Sequence, residues 1–235
     1  MIVGIGVESQ RDIFIPLSEP CYDDSMSDAV NHAMLRAWLT GRSIARGLPA
    51  PIPDHEGFRV DTSSDVEVRR WVFPHVTPRL IELGATIGAQ GYLLKVCGTA
   101  DELRGALPDR WQIQAPGYFM RATEKRSKRL LPKGYAVEVH RDGMVTTVTI
   151  RTDEGEVAAS GYAAETDGAF VYDRIITALN HRRKGLAGAM MTILRHTKRQ
   201  ELPELLVATE DGRALYTNLG WRTISPYTTA SIGEL

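Results

Sequence analysis

The run Asn180-His181-Arg182-Arg183-Lys184-Gly185-Leu186-Ala187-Gly188-Ala189 joins three consecutive cations to two glycines, a combination suited to holding an anion. An apolar run, Phe170 to Leu179, leads into it and reads as a buried strand. Behind it Leu186, Met190, Ile193 and Leu194 recur at helical spacing. A strand therefore turns sharply into a helix. The first N–H groups of a helix have no partner inside it, and the helix dipole adds partial positive charge there. A pyrophosphate fits that geometry. Gly185 and Gly188 let the backbone come close to a ligand, while Arg182, Arg183 and Lys184 supply charge. Neither the Walker spacing G-x-x-x-x-G-K-[ST] nor the dinucleotide spacing G-x-G-x-x-G is present.

The spacing Arg182-x-x-Gly185-x-Ala187 resembles the acyl-CoA signature of the GNAT acetyltransferases, [QR]-x-x-G-x-[GA]. A second block, Gly212-Arg213-Ala214-Leu215-Tyr216-Thr217-Asn218-Leu219-Gly220-Trp221, resembles their A-x-x-L-Y-x-x-x-G-[FW] helix and strand. The resemblance covers residues 116–235 and implies a good deal about the site. Acetyl-CoA would enter as a substrate, held by backbone N–H groups from Arg183 through Leu186, Ala187 and Gly188 to Ala189, with no metal. A bulge in the fourth strand would splay it from the fifth and aim the N–H of Thr177, with Ile175 nearby, at the thioester carbonyl. Tyr216 occupies the family's general-acid position. Thr209 stands near the place of the family's helix-start asparagine and can cap that helix.

Deprotonating the amine needs a base. Asp173 lies two and four residues before Ile175 and Thr177, so the three share a strand face. Glu165, near the preceding hairpin, is the alternative carboxylate. His181 and His140 are further candidates, although a single histidine near a basic turn is more often structural, and no residues cluster at metal-ligand spacing.

The elements that must position these groups are legible in outline. Asp142-Gly143, Glu154-Gly155 and Asp167-Gly168 mark turns between strand-like runs Tyr135 to His140, Met144 to Arg151, Val157 to Ala164 and Phe170 to Ala178. That is an antiparallel meander feeding the basic turn. A helix to about Gln200, a strand at Leu205-Leu206-Val207, a helix from about Asp211 to Asn218, and strands Trp221 to Ser225 and Thr228 to Ile232 follow. The strand–helix–strand unit requires a parallel pair. One departure from the family stands out. Its first two strands are usually separated by two helices that help form the acceptor pocket, whereas Asp142-Gly143 joins two strands directly. Either Gly117-Tyr118-Phe119-Met120 is the first strand or that layer is missing; in both cases the first half is expected to supply part of the acceptor site.

Residues 1–115 read as a separate, smaller mixed α/β region without a chemical motif, a candidate for a degenerate copy of the GNAT domain at 116–235. Ile2 to Val7 and Ile13-Phe14-Ile15 read as strands. A helix opens at Ser25, carries an apolar face including Met34, Ala37, Trp38, Gly41 and Ala45, and stops at Gly47 and Pro49. Its Met and Trp either pack the core or line an acceptor pocket. Leu48 to His55 reads as a connector, Val66 to Phe73 and Tyr92 to Val96 as strands. Pro78 starts a helix, and Thr99 with Glu102 caps another.

Bulk composition narrows the classes. A net charge of −1 over 235 residues gives no general attraction to nucleic acid or membrane. Lys125-Arg126-Ser127-Lys128-Arg129 reads as a solvated face, and the lack of interleaved aromatics argues against single-strand binding. Cys21 and Cys97 lack metal-type spacing and read as free thiols of a reducing compartment. No apolar run is long enough for a membrane span and no secretory signal is evident, so the cytoplasm is expected. The whole reads as an α/β (α+β) protein with a mostly antiparallel GNAT-type sheet. Its expected activity is acetyl transfer to the amine of a small molecule. The rival reading is a non-catalytic CoA-sensing or partner-binding module, and the resemblance allows a homodimer.

Overall fold

The structure, a computed structural model, describes residues 29–125 and 127–233. The expected strands at Ile2 to Val7 and Ile13 to Ile15, the helix start at Ser25, and Cys21 lie outside the described residues. In chain order, α1 (His32–Ala45) precedes β1 (Ile52–Asp54), β2 (Gly57–Asp61), β3 (Arg69–Phe73), α2 (Pro78–Thr86), β4 (Tyr92–Val96), α3 (Ala100–Ala106) and β5 (Trp111–Ile113). There follow β6 (Gly117–Ala122), β7 (Tyr135–Asp142), β8 (Val145–Thr152), β9 (Val157–Glu165), β10 (Phe170–Thr177), α4 (Leu186–His196), β11 (Glu204–Ala208), α5 (Glu210–Asn218) and β12 (Trp221–Ile232). The described strands form a 12-stranded sheet in the order β1-β2-β3-β4-β12-β6-β11-β10-β9-β8-β7, with β5 on β12. No described helix is long and apolar enough to cross a membrane.

The two halves repeat one topology. In each, an antiparallel strand pair is followed by a helix and a parallel strand: β2-β3-α2-β4 and β9-β10-α4-β11. In each a further helix and strand follow, α3-β5 and α5-β12. The strand that fills the gap is exchanged between halves. β6, which continues from β5, inserts between β11 and the start of β12; the end of β12 inserts between β4 and β5. The exchange binds both halves into one sheet.

It also settles the departure noted above. Gly117–Met120 is an interior strand, not the outer first strand, and the described residues between β6 and β7 contain no helix. The two-helix layer is missing. α1 stands over part of the face instead, packing on β9 and β10 opposite α4. Alternation along β10 makes this explicit: Phe170 and Tyr172 join the core under α4, and Val171 joins the core under α1. α1 approaches so closely that a Cβ on Gly41 would lie 2.6 Å from Val171 Cγ2.

Local signals explain most boundaries. Asn31 caps α1, its side chain accepting from the Met34 N–H. Thr77 and Pro78 open α2, and Thr99 with Glu102 forms a full capping box on α3. β1 and the start of its turn into β2 fall inside the Leu48 to His55 segment expected to be a connector. The turn residues His55 and Glu56 adopt φ of 51° and 63°, positions where Asn-Gly is the recognisable choice. β3 begins at Arg69 rather than Val66, and β12 runs through as one strand with a register shift between Thr223 and Ser225. Cys97 is buried and unbonded, and burial pushes its thiol pKa up.

Candidate active site

β10 and β11 pair in parallel only at Phe170–Glu204 and Val171–Leu205. Beyond that point β10 bulges, with a register shift against β9 between Asp173 and Ile176. Arg174 sits in the bulge at φ 51°, a left-handed conformation costly for a side-chain-bearing residue. The bulge is pinned from the first half. Arg46, the residue ending α1, engages both Asp173 oxygens at 2.7 and 2.9 Å. Arg174 donates to the Ala45 carbonyl and stacks its guanidinium 3.8 Å from the Tyr162 ring centroid. From Asp173 onward the β11-facing edge of β10 has no strand partner among the described residues, and the two strands diverge.

A cleft of about 630 Å³ opens where they part. The N-terminus of α4 forms one wall. The side chains of Asn31, Thr77, Thr99 and Thr209 cap α1, α2, α3 and α5, but no side chain caps α4. Its N-cap is Gly185 at φ 81°, following Arg183 at φ 60°. A Cβ on Gly185 would meet nothing within 4 Å, so the turn is open on its outer side. The first helical amides therefore face the cleft without an intrahelical or capping acceptor.

Of the ten residues expected to hold the cofactor, Ile175, Thr177, Arg182, Arg183, Gly185, Leu186, Ala187 and Gly188 line this cleft. Lys184 and Ala189 do not. Ala189 is fully buried, and its N–H is spent on the Gly185 carbonyl at 3.1 Å, so the holding amides stop short of it. Lys184 is exposed on the outside of the turn. Tyr216 lines the cleft, is 8% exposed, and makes no hydrogen bond to a described residue; burial raises its phenol pKa to about 12. Thr209 lines the cleft and caps α5, as anticipated.

The candidate bases separate clearly. Asp173 lines the cleft, but Arg46 occupies both of its oxygens, so taking up a proton means opening a bidentate pair. Glu165 lies away from the cleft and is structural. It is 4% exposed and accepts from the backbone N–H of Arg199 and Gln200 and from Arg141, anchoring the chain after α4. His181 is buried against Tyr135, Nδ1 3.0 Å from the hydroxyl; His140 is exposed on the edge strand β7. Asp211, at the start of α5, lines the cleft and forms no ion pair among the described residues. Sequence reading passed over it because acidic residues in a first helical turn are ordinary. Among the described residues no group of three or more His, Cys, Asp or Glu could hold a metal.

Solved structures share this architecture over most of the chain. A GCN5-related N-acetyltransferase from Kribbella flavida superposes with a TM-score of 0.62 at 14% identity, covering 88% of this chain and 97% of that one. The fold is the GNAT fold. A second protein of that description, from Sphaerobacter thermophilus, gives a TM-score of 0.53 at 12% identity over 76% of this chain and 78% of its own. No family model matches the sequence, and no curated protein does. The likeness is one of fold, at 12–14% identity.

A second cavity, of about 640 Å³, lies across the diverging strands from the cleft. Tyr172, Asp173, Val207, Ala208, Thr209 and Asp211 line both. The first half contributes Trp38 and Arg42 from α1 and Lys95 from β4. Arg42 and Lys95 were not singled out from the sequence. One signal was available: Leu35, Trp38, Leu39 and Arg42 fall at i, i+3, i+4 and i+7, so an arginine occupies a core-facing position of α1.

Proposed function

We propose that the protein is an acetyl-CoA-dependent N-acetyltransferase acting on the amine of a small molecule. The observation that carries this reading is the open, uncapped N-terminus of α4 beside the bulged, splayed end of β10. Unpartnered amides, an outward-facing glycine turn and the nearby Arg182 and Arg183 suit a diphosphate. The gap between β10 and β11 suits an extended chain reaching toward the second cavity.

Acetyl-CoA supplies the activated acyl group. In this reading the amides of residues 186–188 hold the diphosphate, and the free edge of β10 near Thr177 orients the thioester carbonyl. The amine nitrogen bonds to the acetyl carbon as the carbon–sulfur bond breaks; the ammonium proton leaves through Asp211 or Asp173 to solvent. Tyr216 faces the sulfur. Full proton transfer from a phenol at about 12 to a thiolate of ordinary pKa of about 8.5 is uphill by about 5 kcal/mol. Its role is accordingly a hydrogen bond to the charge developing on sulfur, with the proton supplied by solvent.

We place a single CoA site in the chain and read the first half as a degenerate copy. The helix α2, which corresponds to α4, begins with Pro78, and its Leu80 N–H is taken by Thr77 Oγ1 at 3.2 Å. That helix start has no open amide cradle. A dimer, if formed, uses a surface other than the end of β12, which lies between β4 and β5.

The locking of Asp173 by Arg46 favours one rival: CoA binding without turnover. A thiol-release assay with acetyl-CoA and a panel of amines separates them. Amine-dependent release of CoA is expected; CoA binding with no turnover on any amine would replace the enzyme by a binding module.

A further inference from the structure

The second cavity carries two cations, Arg42 and Lys95, that pair with none of the carboxylates Asp173, Glu210 and Asp211 beside them, and acetyl transfer alone does not explain this. Arg42 forms no hydrogen bond or ion pair with any described residue, and its Nη1 is sealed from solvent. Lys95, partly buried, donates to Thr229 Oγ1 at 3.0 Å and lies 6.0 Å from the centre of the Tyr227 ring; it too has no carboxylate partner. Of the described acidic groups nearby, Asp211 lines the cavity without bonding either cation, Glu210 is held by Arg213 and Tyr118, and two more are committed elsewhere. Asp173 is held by Arg46 at 2.7 and 2.9 Å, and Glu67 by Arg70, Nη2 to Oε2 at 2.7 Å. Burial, and then the neighbouring arginines, depress the pKa of both cations, with Lys95 brought to about 8.

Cations partly withdrawn from water without a paired counter-charge are costly, and a buried donor with no acceptor calls for an explanation, of which a ligand is one. A bound anion would supply the missing partner, and a guanidinium beside an ammonium is a natural fork for a carboxylate or phosphate. A polyamine would leave both cations without a partner. The cavity meets the CoA cleft at Asp173, Ala208 and Asp211, so an amine at that junction leaves the rest of the molecule pointing toward Arg42 and Lys95.

Resting on the acetyl-transfer reading, we propose that the acceptor is an amine that also carries an anionic group, carboxylate or phosphate, and that Arg42 and Lys95 bind that group. The site assigns Arg42 as the residue that sets acceptor specificity. Neutral and cationic amines are poor substrates for the same reason.

The test uses matched amines: amino carboxylates, amino phosphates, the corresponding amides, and polyamines. Turnover with acetyl-CoA and ligand-induced thermal shift are both measured, on the wild type and on Arg42→Gln, with Lys95→Met as a second variant. Anionic amines are expected to be preferred over their amides by about 10- to 100-fold in kcat/KM, the range of a charged hydrogen-bonded pair. Arg42→Gln should erase that preference by raising KM while leaving CoA affinity unchanged, and Arg42→Lys should restore part of it. The ratio between carboxylate and phosphate series identifies the anion. Efficient turnover of polyamines or amides, or a preference that survives both variants, overturns the anion site and leaves acetyl transfer standing. Arg42-dependent binding of anionic amines without turnover upholds the anion site and overturns the transfer reaction. No thermal shift from any anionic amine at millimolar concentration, with no turnover, overturns the proposal.

Discussion

Replacing Lys95 by methionine should stabilise the protein at neutral pH, and the size of the gain follows from the site. Lys95 is held down from 10.5 to about 8, a penalty on its charged form of at most about 3 kcal/mol. Burial is the main cause, followed by Arg42; Glu67 opposes them, and Arg46 adds to the depression. Methionine has similar length and no charge to desolvate, so it escapes the penalty. It also forfeits the hydrogen bond to Thr229 Oγ1, worth about 1 kcal/mol. The net gain is about 2 kcal/mol, or about 4–8 °C in Tm for a chain of this size. The sign depends on pH. The folded pKa lies below the unfolded one, so between about 8 and 10.5 the unfolded chain binds the extra proton. Wild-type stability therefore climbs with pH through that window, and the variant lacks this climb. Thermal melts of both proteins at pH 7 and pH 10.5, without ligand, give the comparison. A gain at pH 7 that vanishes at pH 10.5 is expected. A lower Tm at pH 7, or an equal gain at both pH values, would show that Lys95 is not the strained cation described here.

Two further substitutions test the CoA side. Gly185→Glu meets open space, so the variant should fold at a cost of about 1–2 kcal/mol for the left-handed backbone. Its carboxylate, about 5 Å from a bound diphosphate, adds about 1–3 kcal/mol of repulsion per charge pair. CoA affinity measured by calorimetry should fall at least tenfold; an unchanged Kd in a folded variant moves the diphosphate elsewhere. Tyr216→Phe should lower kcat about 100-fold, in the range seen for a lost transition-state donor, with CoA affinity within a factor of about two. Undiminished kcat in that variant would strip Tyr216 of its role.

The residues that touch the backbone of the site were readable in one dimension, for a local reason. A strand, a glycine turn and a helix are set by neighbours within a few positions, so Phe170 to Ala189 announced the strand, the open turn and the helix behind it. The same holds for Thr209, Pro78 and the Thr99–Glu102 box, which act over three or four residues. The β10 bulge was reached through the GNAT resemblance rather than from local residues alone, and contacts that hold it come from far away, from Arg46 and Ala45 at the end of α1.

What only the tertiary structure decided is everything that depends on contacts across long sequence separations. Whether Asp173 was free or locked turned on a partner 127 residues away. Glu165 proved structural because the chain after α4 folds back onto it. The exchange of β6 and the end of β12 between halves left no mark on hydrophobic period, since a strand reads alike whichever sheet position it fills. And Arg42 and Lys95, 53 positions apart in the half without a motif, became neighbours only when α1 and β4 were brought against the same cavity. Charge is a property of residues, but its pairing is a property of three-dimensional neighbours, and the proposed anion site rests on two cations that the fold leaves unpaired among the described residues.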